Sequence, residues 1–210
     1  MKDPYLYPDN ETLKNLFDVM DDSKLSDIEA DYTSLRLKEL LDNPLAGDFN
    51  LLHLCNMHRY IFQDIFDWAG KIRIINIEKS EEALSGLSVE YSEVFDIVKH
   101  SESALSRMNA VDWNSICIED KAKHFDEIMT EIWKVHPFRE GNTRTIITFC
   151  CDFADKHGFS LNRELFKDNS VYVRRALVAS SAYFKDLGDK RKPEFLVNFI
   201  LDAITKPINK

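Results

Sequence analysis

The chain has 210 residues, of which 44% are hydrophobic, and its formal net charge at pH 7 is −9. That length and apolar content can form a core that offsets the conformational entropy lost on folding, so wholesale disorder is excluded. The acidic balance excludes generic binding to nucleic acid or anionic membrane, which needs clustered Lys and Arg. No apolar run approaches a membrane span, and residues 1–4 contain no apolar signal-peptide core. We therefore expect a cytoplasmic protein with neither a nucleic-acid nor a membrane partner.

Acidic residues are concentrated at the start of the chain. Nine acids against three lysines give residues 1–31 a charge of −6, which indicates a solvated face or a docking surface for a basic partner. Apolar residues recur at helical spacing from Ser26 to near Pro44, which predicts an amphipathic helix. A second, largely buried helix is predicted over residues 51–68, with Gly70 placed to cap it.

A short β-branched segment follows these helices. Residues 73–77 read Arg-Ile-Ile-Asn-Ile, and with the polar stretch as far as Ser85 they are the best candidate for a strand or hairpin. Helical spacing resumes over residues 91–108 and 115–135 and again from about residue 161. The chain is therefore predicted to be all-α, or mainly α, with one small β element.

The segment that carries chemistry is residues 135–144, Val-His-Pro-Phe-Arg-Glu-Gly-Asn-Thr-Arg. Pro137 disfavours helical geometry at His136, so one helix should end there and another should begin near residue 143. The histidine is thereby placed beside a helix N-terminus, where backbone N–H groups and the helix dipole attract an anion. The candidate phosphate-binding residues are Gly141, Asn142, Thr143 and Arg144.

Charge and side-chain chemistry in this segment indicate nucleotidyl or phosphoryl transfer. Three basic residues against one acidic residue give residues 134–144 a formal charge of +2 with histidine neutral. Glu140 offers a hard oxygen ligand to Mg²⁺, which binds one or two carboxylates together with substrate phosphates and water. His136 has an ordinary pKa near neutrality and can act as general base toward an attacking hydroxyl. Phe138 is expected to anchor the loop in the core.

The same segment resembles the signature of Fic-domain proteins, His-x-Phe-x-[Asp/Glu]-Gly-Asn-Gly-Arg-x-x-Arg. Residues 5–8, residues 13–15, His58 and residues 61–73 are also similar to Fic chains in order and spacing, and the similarity covers about residues 5–160. The resemblance implies a helical bundle with a β-hairpin flap near the active site. It also implies transfer of AMP from Mg·ATP to a Tyr, Thr or Ser hydroxyl of a target protein, with release of pyrophosphate.

Carried over by position, the resemblance assigns a role to each motif residue. His136 is the general base, Phe138 the structural anchor and Glu140 the Mg²⁺ ligand. The implied nucleotide-binding residues are Arg139, Gly141, Asn142, Thr143 and Arg144. The family's flap, which clamps an extended target segment by strand addition, maps to about residues 73–85. Its implied docking residues are Ile75, Asn76, Ile77, Glu78 and Lys79.

Two motif positions depart from the family pattern. Thr143 stands where Gly is usual; its N–H remains, although its side chain can crowd or hydrogen-bond a phosphate oxygen. Ile147 stands where the family has a second Arg, which contacts the γ-phosphate and pairs with an inhibitory glutamate. The inhibitory pattern, [Ser/Thr]-x-x-x-Glu-[Gly/Asn], is absent as well, since Leu25 stands four residues before Glu29. We therefore expect no inhibition by a glutamate of this chain, and weaker γ-phosphate binding.

β-Branched residues dominate the start of the predicted motif helix, at Thr143, Thr145, Ile146, Ile147 and Thr148. Propensity alone would favour a buried strand. The apolar pattern nevertheless continues for about four turns to Gly158, which predicts a central helix sheltered on most sides.

We interpret the chain as a single Fic-type domain, with an acidic helical region at residues 1–45, a core at about 48–160 and C-terminal helices at about 161–205. Self-modification is expected, and the unranked acceptor candidates are Tyr5, Tyr7, Tyr32 and Tyr91. Two alternatives remain open, namely transfer of a different phosphate-containing group and a catalytically silent binding module. The resemblance also leaves open an antitoxin-like partner, and a dimer is a further alternative.

Overall fold

Eight α-helices account for most of the elements in a computed structural model that describes residues 3–206. Residues 1–2 and 207–210 lie outside this range. They include both ends of the predicted domain and half of the segment 1–4 that was compared with a signal peptide. One contiguous apolar core extends from Tyr5 to Ala203. The predicted mainly α fold is confirmed. No helix in the described part of the chain is long and apolar enough to cross a bilayer.

The first helix, α1, spans Asp22–Asp42. It begins earlier than Ser26 because the Asp21 side chain caps it, accepting a hydrogen bond from Lys24 N–H at 3.0 Å. It ends before Pro44, as predicted. The acidic N-terminal region is thereby packed on the second helix.

The second helix, α2, spans Leu51–Phe62 and is shorter than the predicted helix over residues 51–68. Tight i→i+3 turns replace its last part, as in the hydrogen bond from Ala69 N–H to Phe66 O at 3.2 Å. These turns place Phe66 in the core, where it is 1% exposed. Gly70, with a φ of +78°, follows the turns and does not cap the helix.

The strand or hairpin predicted within residues 73–85 is not formed. This segment carries no strand, and a 3₁₀ turn occupies Glu82–Leu84. Near the tip, Glu81 N–H donates to Leu87 O at 3.1 Å, but a hairpin requires a ladder of such bonds along both arms. We call residues 73–87 the flap. The small antiparallel sheet of the described residues lies elsewhere.

Three helices build the middle of the molecule. A 3₁₀ turn at Val94–Asp96 leads into α3, which spans Ile97–Ala110. Next come α4 at Ile118–Val135 and α5 at Asn142–Lys156. α5 packs against both α2 and α4.

The β-branched start of α5 is helical, as predicted from the apolar pattern and against propensity. Two threonines satisfy their hydroxyls inside the helix by donating to the carbonyl four residues earlier. Thr145 Oγ1 lies 3.0 Å from Gly141 O, and Thr148 Oγ1 lies 2.9 Å from Arg144 O. Burial on most sides then outweighs the small loss in helix propensity.

The C-terminal part is helical, as predicted from residue 161 onward. It contains α6 at Arg163–Asp168, α7 at Ser170–Ser180 and α8 at Glu194–Thr205, and α8 packs against α4 and α7. The small sheet lies between α7 and α8. Its two strands, β1 at Tyr183–Phe184 and β2 at Gly188–Asp189, pair antiparallel.

Candidate active site

His136 terminates α4 in the left-handed conformation, with a φ of +52°. Arg73, which is 1% exposed, holds this turn through Nε–H to His136 O and through its backbone N–H to Pro137 O, both at 2.8 Å. The sequence analysis missed this role of Arg73. The sequence did contain an indication of it, because Arg73 directly precedes an apolar β-branched run. A cation buried with such a run requires hydrogen-bond partners.

The ring of His136 is held in one tautomer. Its Nδ1 lies 3.2 Å from Trp133 O, and because a carbonyl oxygen only accepts, Nδ1 carries the hydrogen. Nε2 is therefore the basic nitrogen, and it is buried without a hydrogen-bond partner among the described residues. Burial, followed by the positive charge of Lys79, holds the pKa of His136 well below its usual range. The ring is a neutral base whose Nε2 lone pair accepts no hydrogen bond from the described residues.

Tyr91 covers this base. Its ring centroid lies 4.3 Å from that of His136, which is 1% exposed. The cover is tethered because Arg174 Nη2 lies 2.7 Å from Glu81 Oε1, and Tyr91 Oη lies 3.5 Å from the same oxygen. Tyr91 therefore packs on the ring that carries the unprotonated Nε2.

Asn142 closes the loop that joins α4 to α5. Its Oδ1 accepts from Phe138 N–H at 2.9 Å, and its Nδ2 donates to Phe138 O at 2.8 Å. Phe138 itself is fully buried, as expected of an anchor. The side chain of Asn142 therefore shapes the loop, which leaves its backbone N–H to contact an anion.

The loop also requires a glycine. Gly141 has a φ of +79°, and a Cβ there would lie 2.3 Å from Cζ of Phe62. At the next turn, Trp133 Nε1–H donates to Thr143 Oγ1 at 2.8 Å, which directs that hydroxyl toward α4. The backbone N–H groups of residues 142–144 have no acceptor within residues 3–206, so they are free to hold an anion, and we call them the cradle.

His58 supports the same loop from α2. It accepts from Gly70 N–H at 2.8 Å and donates Nε2–H to Glu140 O at 3.0 Å, while its ring stacks on Phe138 with centroids 3.9 Å apart. Burial lowers the pKa of His58 to about 4, so it remains neutral. The sequence analysis gave His58 no role of its own, and only its place in the family resemblance indicated one.

Each charged motif residue is paired with an opposite charge from outside the motif. Arg139 Nη2 lies 2.9 Å from Asp3 Oδ2, and Glu140 Oε2 lies 2.9 Å from Lys79 Nζ. Arg144 Nη1 lies 3.1 Å from Glu29 Oε1. The sequence analysis found the motif residues but none of these pairings. Two of the partners come from the acidic N-terminal region, which therefore contributes to the site itself.

Glu29 bears on the expectation that no glutamate of this chain inhibits it, which stays a prediction. It lacks the inhibitory sequence pattern, yet its carboxylate reaches Arg144. Burial raises the pKa of Glu29, and the attraction of Arg144 opposes that shift. A glutamate of this chain is thus present at the site, and an incoming phosphate would compete with it for the guanidinium.

Glu140 fits a magnesium ligand. Burial alone would raise its pKa, but Lys79, the Gly141 N–H and Arg139 outweigh burial and lower it, so the carboxylate is ionised. The Lys79 ammonium lies where a cation is attracted, 2.9 Å from Oε2. The described residues contain no cluster of three or more His, Cys, Asp or Glu that could hold a metal. Glu140 would therefore share Mg²⁺ with substrate phosphates and water.

The five docking residues predicted from the resemblance share one surface. Residues 75–79 line an open groove of about 640 Å³ together with Asp3, Val94 and Arg139. Lys79 connects this groove to the motif through Glu140. The structure therefore brings together the base, the anion cradle, the carboxylate and the groove.

Comparison with known proteins identifies the family of this arrangement. The Fic/DOC family model matches residues 48–154. The chain is 30% identical over 164 residues to a probable protein adenylyltransferase, y4lH, of Sinorhizobium fredii, covering 77% of this chain and 80% of that protein. It is 28% identical over 163 residues to the protein adenylyltransferase VbhT of Bartonella schoenbuchensis, covering 76% of this chain and only 32% of VbhT.

A solved structure shares the fold across nearly the whole chain. BepC of Bartonella tribocorum, determined with bound AMPPNP, superposes with a TM-score of 0.78 at 18% identity, covering 95% of both chains. The match of the family model to half of the chain, and the 30% identity to y4lH, agree with the motif geometry. The chain belongs to the Fic/DOC family.

Proposed function

We propose that this protein transfers AMP from Mg·ATP to a hydroxyl side chain of a target protein. The hydroxyl oxygen bonds to the α-phosphorus, the bond from that phosphorus to the bridging oxygen breaks, and pyrophosphate leaves. The hydroxyl proton passes to Nε2 of His136. One observation carries the proposal: among the described residues, neutral His136 Nε2 and the first N–H groups of α5 have no hydrogen-bond partner, and one short loop joins them.

The relatives support the same chemistry. VbhT and y4lH are named as a protein adenylyltransferase and a probable one, and BepC was determined with an ATP analogue. On this basis the chain is an enzyme, a nucleotidyltransferase that takes ATP as its substrate.

The motif residues divide the work of binding. The N–H groups of Asn142 and Thr143 would hold the α-phosphate, and Arg144 would contact the next phosphate after leaving Glu29. Bound through Glu140, Mg²⁺ would neutralise phosphate charge. Arg139 lies farther out, paired with Asp3 beside the groove. Its contribution is therefore at the edge of the nucleotide site.

The flap is the proposed target-docking surface. Ile74 is 68% exposed, and the N–H groups of residues 75–78 have no hydrogen-bond acceptor in the described part of the chain. An extended target segment can add to such an edge by main-chain hydrogen bonds. The absence of a hairpin leaves this edge unpaired, which keeps the docking proposal intact.

The decisive experiment is incubation with α-labelled ATP, Mg²⁺ and candidate target proteins. Wild type should label protein, and His136→Ala should not. Label that persists undiminished in the mutant would contradict the role of His136. The adduct mass separates AMP from another phosphate-containing group, and peptide mapping would locate any self-modified tyrosine.

A silent binding module predicts a different result. Such a chain would show no ATP binding by calorimetry in the presence of Mg²⁺. Detectable binding together with His136-dependent labelling would exclude that alternative.

A further inference from the structure

Lys79 is the flap residue whose side chain contacts Glu140 of the motif. Its Nζ lies 2.9 Å from Glu140 Oε2, and its side chain is 19% exposed. The backbone at this point is fixed, because Lys79 N–H donates to Ser88 Oγ at 3.1 Å. The position of the ammonium is therefore set by the fold and by its ion pair.

The charge of Lys79 acts on the centre of the site. Its positive charge adds to the burial that holds the pKa of His136 down, and it opposes the burial that raises the pKa of Glu29, the partner of Arg144. An ammonium that acts on the base, the carboxylate and Glu29 together lies in the region that a polyphosphate chain must enter. A residue serving only to dock a target would have no such position.

Two cations cannot use the same carboxylate oxygen without strong repulsion. Because Glu140 Oε1 accepts from Gly141 N–H, a divalent cation would bind through Oε2 and would displace the Lys79 ammonium from it. The ammonium then requires a new anion, because a partly buried charge without a partner is costly. Phosphate oxygens are strong acceptors for ammonium groups and would be the nearest anions.

We propose that Lys79 is a nucleotide-binding residue with two positions. It pairs with Glu140 in the metal-free protein, and it contacts a phosphate oxygen of the nucleotide when Glu140 binds Mg²⁺. This assignment rests on the proposed function for its ligand, Mg·ATP. It moves Lys79 from the docking residues to the phosphate site, and it makes the flap part of that site.

The test is calorimetry on Lys79→Met in two titrations. Mg²⁺ alone should bind about three- to tenfold more tightly than to wild type, because its competitor at Glu140 is gone. With the protein saturated with Mg²⁺, α,β-methylene ATP, whose α–β bridge is not cleaved, should bind about three- to tenfold more weakly to the variant than to wild type. Lys79→Arg should retain the nucleotide binding of the Mg²⁺-saturated protein.

Lys167→Met is the matched control, since it removes the same charge from α6, where that side chain is 77% exposed. It should change neither affinity. Weakening of both ligands by Lys79→Met would indicate a merely structural role and would overturn the proposal. An unchanged affinity of the Mg²⁺-saturated variant for the nucleotide would overturn it too.

Failure of this proposal can be distinguished from failure of the proposed function. Opposite shifts of the two affinities, without transfer of labelled AMP to any protein, would leave Lys79 assigned and the proposed reaction rejected. Labelling that depends on His136, with unchanged affinities in Lys79→Met, would support the proposed reaction and reject the assignment of Lys79.

Discussion

His136 is buried as a neutral base, and this state fixes its pH response. Imidazole accepts a proton only when neutral, and the pKa of His136 lies well below the ordinary value of about 6.5. Lowering the pH from about 8 to 6 therefore leaves the base in its active form. We expect the single-turnover rate of AMP transfer to stay flat over this range. Half-loss of the rate near pH 6.5, with nucleotide binding unchanged, would contradict the assignment.

Gly141 allows a sharp test of the loop. In Gly141→Ala, a positive φ adds about 1–2 kcal/mol of strain, and the collision of the new methyl with Phe62 adds about 1–3 kcal/mol. Urea denaturation should show a loss of about 3 kcal/mol. Gly188→Ala is the matched control. Its φ is also positive, at +76°, but a Cβ there would have no heavy atom of the described residues within 4 Å apart from its chain neighbours. Its loss should be only about 1 kcal/mol, and equal losses would count against the packing argument.

At the scale of elements, two neighbouring ion pairs join the flap to α7, and they differ in how far they are buried. Arg174 pairs with Glu81, whose side chain is 10% exposed, whereas Arg175 pairs with Glu82, which is 84% exposed. Arg174→Gln should speed hydrogen exchange of the amides in residues 81–91 by about tenfold. Arg175→Gln should change it by less than about twofold. Equal protection in both variants would show that the tether does not hold the cover.

The elements also show where sequence reasoning succeeds and where it stops. α5 was predicted because its apolar pattern runs on to Gly158, and buried helices tolerate β-branched residues. The flap was predicted as a hairpin because its composition favours strands, but strand formation depends on a partner that local sequence does not specify. The predicted helix over residues 51–68 was too long because the pattern marks burial, and tight turns bury residues as effectively as a helix does.

At the scale of the whole molecule, the acidic N-terminal region is fastened to the site. Glu29 holds Arg144 from 115 residues away along the chain. Glu29→Gln should strengthen Mg·ATP binding by about three- to tenfold, because the guanidinium no longer has a competing carboxylate. Asp31→Asn is the control, since it removes the same charge from an exposed position of α1. Equal calorimetric gains in both variants would mean that only net charge matters.

The same long range explains what the sequence could not reveal about the site. The motif residues are adjacent in sequence, so His136, Glu140 and the cradle were predicted together. Their partners Asp3, Lys79 and Glu29 are 61 or more positions away. No local pattern specifies such pairs, and the charge of the first 31 residues was consistent with a solvated surface. Only the packing of the N-terminal region and the flap reveals them.

The burial of His136 has a consequence for the choice of acceptor. Water is the most abundant O–H nucleophile around any nucleotide site. A base open to solvent would activate water as readily as it activates the hydroxyl of a protein side chain. Tyr91 packs on His136, which is only 1% exposed, so Nε2 is kept from bulk water in this arrangement. If the proposed reaction holds, ATP bound in this arrangement would be kept from hydrolysis, and transfer would require an acceptor that displaces Tyr91.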